Sequence, residues 1–75
     1  MRRALAEAKA RTILTYDELW LRCFGLGGSA TVQDLRSYLG GDGTLSREDV
    51  NVLVQAFNEH FLDLGMGMPV KYLDP

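Results

Sequence analysis

The chain has 75 residues, of which 47% are hydrophobic and 24% are charged, and its formal net charge at pH 7 is −2. This length permits one domain, and the hydrophobic share is too high for a disordered chain. The single cysteine, Cys23, excludes an internal disulfide and a cysteine-based zinc site. The sequence has no run of about 18 apolar residues and no apolar core of a secretory signal, so we expect a cytoplasmic protein.

Charge is distributed unevenly along the chain. Residues 1–15 hold four basic residues and one acidic residue, a balance of +3, whereas residues 16–75 hold four basic and nine acidic residues, a balance of −5. A phosphate backbone would be repelled by the acidic part and attracted only by the first segment. The candidate nucleic-acid contacts are therefore Arg2, Arg3, Lys9 and Arg11.

Residues 1–14 form a first segment that is rich in Ala and Arg and has good helix propensity. Its apolar face is thin, because only Leu5, Ala8 and Ile13 can line it. Two alternatives stay open for this segment: a frayed fourth helix, or a basic arm without fixed structure.

Three further helices begin with one pattern, a hydroxyl-bearing residue followed three positions later by an acidic residue. In such a capping box the hydroxyl accepts from the backbone N–H of the third residue, and the carboxylate accepts from the backbone N–H of the first. The three pairs are Thr15 with Glu18, Thr31 with Asp34, and Ser46 with Asp49.

Glycines mark where these helices end, so we predict helices over about 16–24, 32–39 and 47–64. Apolar residues recur in each at spacings of three and four, which predicts one buried face per helix. The fold class is therefore all-α, a compact three-helix unit with the first segment as a potential fourth helix. The predicted core residues are Tyr16, Leu19, Trp20, Cys23, Phe24, Val32, Leu35, Leu39, Val50, Leu53, Val54, Phe57, Phe61 and Leu64.

Residues 66–75 form a tail after the predicted helical core domain, which covers residues 15–65. Pro69 is incompatible with a helix around it. Met66, Met68, Val70 and Tyr72 alternate with other residues, which predicts an extended segment with one apolar side. Such a segment could pack on its own core or in the groove of a partner.

The sequence offers no catalytic or cofactor-binding constellation. Cys23 lies on a predicted apolar face, where burial would raise the thiol pKa and make the side chain inert. His60 has no second histidine or cysteine at metal-ligand spacing. The loop 42–49 supplies too few carboxylates at the ligand positions of a calcium-binding loop. We therefore expect neither an enzyme nor a cofactor-binding protein.

Some apolar side chains fall outside the predicted core faces, and these are candidate contacts for a protein partner or a second copy. They are Leu21, Val52 and Leu62 in the helices, with Met66, Met68 and Tyr72 in the tail. The expected function is a small, non-catalytic protein–protein interaction module, with a homodimer as its simplest form. The alternative is a nucleic-acid-binding or transcription-associated regulator that uses the basic first segment. The amides of Asn51, Gln55 and Asn58 would share an exposed edge of the last helix, but few basic residues accompany them.

A resemblance supports the same general class. The run from Tyr16 to Gly28, the pair Asn58 and Glu59, and the segment 69–72 resemble a group of short, uncharacterised actinobacterial helical proteins. The likeness spans about residues 16–74, and it implies a small free-standing cytoplasmic protein without a stated activity, substrate or cofactor. Residues 1–14 look like an extension of that pattern, and Cys23 stands where an aromatic residue would be expected.

Overall fold

A computed structural model describes residues 1–65 of the chain. It contains four helices, α1 (Arg2–Ala10), α2 (Tyr16–Gly25), α3 (Val32–Leu39) and α4 (Arg47–Asp63), and no strand within these residues. The all-α prediction is confirmed, and the first segment forms a fourth helix. The predicted extended tail, residues 66–75, lies outside the described residues.

The hydroxyl residues begin three of the helices as predicted. Thr15 and Thr31 each form a complete capping box, in which hydroxyl and carboxylate both accept backbone hydrogen bonds. Ser46 forms only half of one: its hydroxyl accepts from the Asp49 N–H at 3.1 Å. The Asp49 carboxylate instead accepts hydrogen bonds from Ser29, which lies in the loop before α3. These bonds join that loop to the start of α4.

The four helices pack as a closed ring. Helix α1 packs on α3 and α4, and α2 packs on the same two helices. Helix α4 supplies the largest part of the core, because both α1 and α2 cover it and its buried face is correspondingly wide. The core residues are Leu5, Ala8, Leu14, Leu19, Cys23, Leu35, Tyr38, Leu39, Val50, Leu53, Val54, Ala56, Phe57 and Phe61.

The observed burial differs from the predicted pattern at several positions in α2 and α4. Phe24 stacks on Trp20 at the end of α2 and is 63% exposed, and Leu64 lies beyond the last residue of α4, where no helix covers it. Ala56 and Asn58 are buried, although neither is among the predicted core residues and Asn58 was expected on an exposed edge. Helix α1, which the three-helix prediction left out, packs on α4 and adds to the burial of that helix.

The loop between α2 and α3 passes very close to α4. A Cβ atom on Gly28 would lie 2.9 Å from the Cys23 carbonyl oxygen and 3.1 Å from Val52 Cγ1. The Gly28 N–H donates to the same carbonyl at 2.8 Å, which closes the end of α2. Glycine is therefore required at this position by the space available, and the close approach helps to cover Val52.

The beginning of α1 is fastened to the loop between α3 and α4. The Arg2 guanidinium donates from Nη1 to the Gly41 carbonyl at 3.2 Å and from Nη2 to the Gly43 carbonyl. Its Cζ atom lies 4.6 Å from the centroid of the Tyr38 ring. The ring contact is a cation–π interaction, and the two hydrogen bonds satisfy carbonyls that a turn leaves without helical partners.

Candidate interaction surface

Two polar contacts bring three parts of the chain together at the carboxyl end of α4. The Thr12 hydroxyl and His60 Nε2 share a hydrogen bond of 2.6 Å, which joins the α1–α2 connection to the last turn of α4. Arg22 of α2 forms a salt bridge of 3.3 Å with Asp63. His60 and Asp63 are one helical turn apart, so both contacts lie at the same end of the molecule.

Large apolar side chains are exposed at positions adjacent in the chain to these contacts. Each is the immediate chain neighbour of a bonded residue: Ile13 follows Thr12, Leu21 precedes Arg22, and Leu62 and Leu64 flank Asp63. We call this set the α4-end surface. Its exposed fractions are 95% for Ile13, 60% for Leu21, 50% for Leu62 and 58% for Leu64.

The predicted contact residues divide into three groups. Leu21 and Leu62 are exposed and belong to the α4-end surface. Val52 is half-buried and packs against the core, because the loop at Gly28 approaches it closely. Met66, Met68 and Tyr72 lie outside the described residues.

For two residues of the α4-end surface, the sequence analysis did not predict exposure. Ile13 was expected to line the apolar face of the first segment, but α1 ends at Ala10 and leaves this residue in the connection to α2. Leu64 continues the apolar spacing of α4 but stands one residue past its end. In both cases the position of a helix end decides the exposure, and helix ends are the least predictable feature of a sequence.

The basic residues of the first segment are largely occupied by contacts within the chain. Arg2 binds the α3–α4 loop, Lys9 lies 4.8 Å from the Tyr16 ring centroid, and Arg11 lies 5.7 Å from that of Phe61. Arg3 is exposed on α1. Arg2, Arg3 and Lys9 lie in α1 and Arg11 directly follows it, so none of the four belongs to a detached arm.

The structure places Cys23 and His60, the two side chains weighed for chemistry, in buried positions. Burial, with a smaller contribution from the Asp49 charge, raises the pKa of the Cys23 thiol to about 12, so the thiol is protonated at neutral pH. The His60 ring is buried and bonded to Thr12. Within residues 1–65 no group of three or more His, Cys, Asp or Glu side chains is arranged to hold a metal ion, and no pocket is present.

None of the helices in the described part of the chain is both long and apolar enough to cross a membrane. No family model, no curated protein and no solved structure matches the sequence or the fold of this chain.

Proposed function

We propose that this chain is a small, non-catalytic protein–protein interaction module, and that its simplest form is a homodimer formed through the α4-end surface. The observation that carries the proposal is the exposure of four large apolar side chains, each adjacent in the chain to a residue of one pair of polar contacts. Single exposed apolar residues are ordinary, but several at one place are typical of interaction sites.

A second copy is the occupant that the arrangement favours. In a two-fold dimer both copies contribute the same surface, so the apolar side chains of one copy pack against those of the other. The surface also holds one Arg and one Asp side by side, Arg22 and Asp63, which can exchange partners between two copies. A chain of this size gains from such an interface, because its own core is small.

Sedimentation equilibrium of the full chain over a wide concentration range tests the proposal. We expect a monomer–dimer equilibrium for the natural sequence and a monomer for the double variant Leu21→Glu, Leu62→Glu. The matched control is Gln33→Glu, which adds an acidic side chain at an exposed position of α3 and should leave the equilibrium unchanged.

Circular dichroism of each variant confirms that the helices are retained. A natural chain that stays monomeric at the highest attainable concentration would overturn the homodimer. Equal dimerisation of the double variant and the natural chain would overturn the assignment of the surface.

A further inference from the structure

Two positive charges from different helices meet on the ring of Tyr16, the first residue of α2. Lys9 Nζ of α1 lies 4.8 Å from the ring centroid, and Arg36 Cζ of α3 lies 4.7 Å from it. No carboxylate of residues 1–65 forms a salt bridge with either cation. Three helices thus concentrate positive charge that the described part of the chain does not neutralise by direct pairing.

An ordered row of aromatic rings continues from this point along α2. Trp20 and Phe24 follow Tyr16 at four-residue intervals and therefore share one side of the helix. Their rings stack with centroids 5.3 Å apart, and Trp20 Nε1 donates to the Ala30 carbonyl at 3.0 Å, which fixes the indole. We call Tyr16, Trp20 and Phe24 the aromatic strip.

The strip offers an aromatic surface at one end and cations at the other. The helical rise places Tyr16 and Phe24 about 12 Å apart along the axis of α2. The exposed Phe24 ring provides a face on which a planar group can stack, and Lys9 and Arg36 provide charge for an anion. Single-stranded nucleic acid combines both chemistries, because its bases stack on aromatic rings and its phosphates pair with cations.

We infer that the aromatic strip binds single-stranded nucleic acid, with phosphates at Lys9 and Arg36 and a base against the Trp20–Phe24 pair. A stacked strand rises about 3.4 Å per nucleotide, so the strip matches roughly three to four nucleotides. An oligonucleotide reaches both ends, whereas a free nucleotide reaches one. The inference goes beyond the proposed protein–protein function and uses none of the residues of the α4-end surface.

Binding through two phosphates is weak and depends on salt. The exposed Asp17 beside Tyr16 and the net charge of −2 oppose a polyanion, so we expect a dissociation constant of about 10⁻⁴ to 10⁻⁶ M at low salt. Two neutralised phosphates on a single strand give a log–log salt slope of about −1.4, which weakens binding about sevenfold between 50 and 200 mM salt.

The only tryptophan of the chain, Trp20, lies in the strip and reports binding directly. The full chain is titrated with a deoxythymidine oligonucleotide of about 12 nucleotides while Trp20 fluorescence is recorded. We expect saturable quenching with the salt dependence given above. Lys9→Gln combined with Arg36→Gln should remove most of that salt dependence, whereas the control Arg47→Gln, at the exposed start of α4, should not.

Four further titrations separate the contributions of stacking and charge. Phe24→Leu should weaken oligonucleotide binding at least about fivefold, because a stacked base is lost. Polyphosphate, which has no bases, and polyglutamate, which represents an acidic protein segment, should bind more weakly than the oligonucleotide. Thymidine monophosphate should also bind more weakly, since it reaches one end of the strip.

The inference is overturned if the oligonucleotide fails to quench Trp20 at low salt, or if Phe24→Leu binds like the natural chain. If polyglutamate bound as tightly as the oligonucleotide, the strip would be assigned to an acidic protein partner instead. If circular dichroism shows that the double variant is unfolded, the role of the cations is tested by Lys9→Gln alone and by the salt slope of the natural chain.

Discussion

The Asp49 carboxylate accepts two hydrogen bonds from Ser29, one from its backbone N–H and one from its hydroxyl, each at 2.9 Å. These bonds join the loop before α3 to the first turn of α4. The backbone bond from Ser29 is the main reason that the pKa of Asp49 lies below its ordinary value of 3.8. A carboxylate at the amino end of a helix is further stabilised by the helix dipole.

Stability should therefore depend on acid pH through Asp49. Because the folded-state pKa is the lower one, the unfolded chain binds the proton more readily, and the contribution is complete above about pH 4 and is lost as pH falls through the folded-state value. We expect Asp49→Asn to lower the unfolding free energy by about 1 kcal/mol near neutral pH. In urea unfolding the difference between this variant and the natural chain should shrink at acid pH, and a constant difference would contradict the assignment.

Arg2 should stabilise the fold although it lies at the very start of α1. Replacing it with Met removes the bonds to the Gly41 and Gly43 carbonyls and the contact with the Tyr38 ring. We expect a loss of about 1 kcal/mol in unfolding free energy. The matched control is Arg3→Met, an exposed neighbour with the same charge, and an equal loss for both variants would show that charge alone matters.

Helix α1 should contribute substantially to the free energy of unfolding. Leu5 is fully buried in the core, so Leu5→Ala should cost roughly 3 kcal/mol in chemical unfolding. The control Leu21→Ala removes the same atoms from an exposed site and should change stability by about 0.5 kcal/mol or less, measured at a protein concentration where the chain is monomeric. If the two substitutions cost the same, α1 does not pack as described.

Two glycines near the end of α2 should respond oppositely to the same substitution. Gly28→Ala places a methyl group against the Cys23 carbonyl and Val52, and should destabilise the fold by roughly 1–3 kcal/mol. Gly25→Ala meets no atom within 4 Å, and its backbone is helical, so it should stabilise the fold by about 0.5–1 kcal/mol. Thermal unfolding of the two variants gives the signs, and a neutral Gly28→Ala would show that the loop moves freely.

The Cys23 thiol should be unreactive in the folded chain. With a pKa raised to about 12 by burial, and less by the Asp49 charge, it holds almost no thiolate at mildly alkaline pH. We expect a thiol-specific reagent to label native protein far more slowly than protein unfolded in urea. Labelling at the same rate in both states would place Cys23 outside the core.

The sequence predicted the local features of this fold well. Capping boxes at Thr15 and Thr31 involve residues three positions apart, so the pattern contains both partners of each bond. Ser46 shows the limit of this reasoning, because Asp49 finds a stronger pair of donors in Ser29, twenty residues away. A local pattern cannot show which of two acceptable partners the tertiary fold will supply.

The less predictable features depend on which helices are neighbours. The thin apolar face of the first segment gives no indication that Leu5 and Ala8 would be enclosed by α3 and α4. Two residues of the α4-end surface, Ile13 and Leu64, are exposed because α1 ends before Ile13 and α4 ends before Leu64. The aromatic strip could be anticipated from the four-residue spacing of its rings, but the cations beside Tyr16 come from helices that only folding brings there.

The ring order of the helices has a consequence for synthesis. Helix α1 is synthesised before the other three described helices, yet one of its two packing partners is α4, the last of the four. Helix α4 also supplies more core residues than any other helix. A nascent chain that stops before residue 47 lacks α4 and therefore exposes the faces of α1 and α2 that pack on it. The ring of helices can therefore close only after α4 has been made.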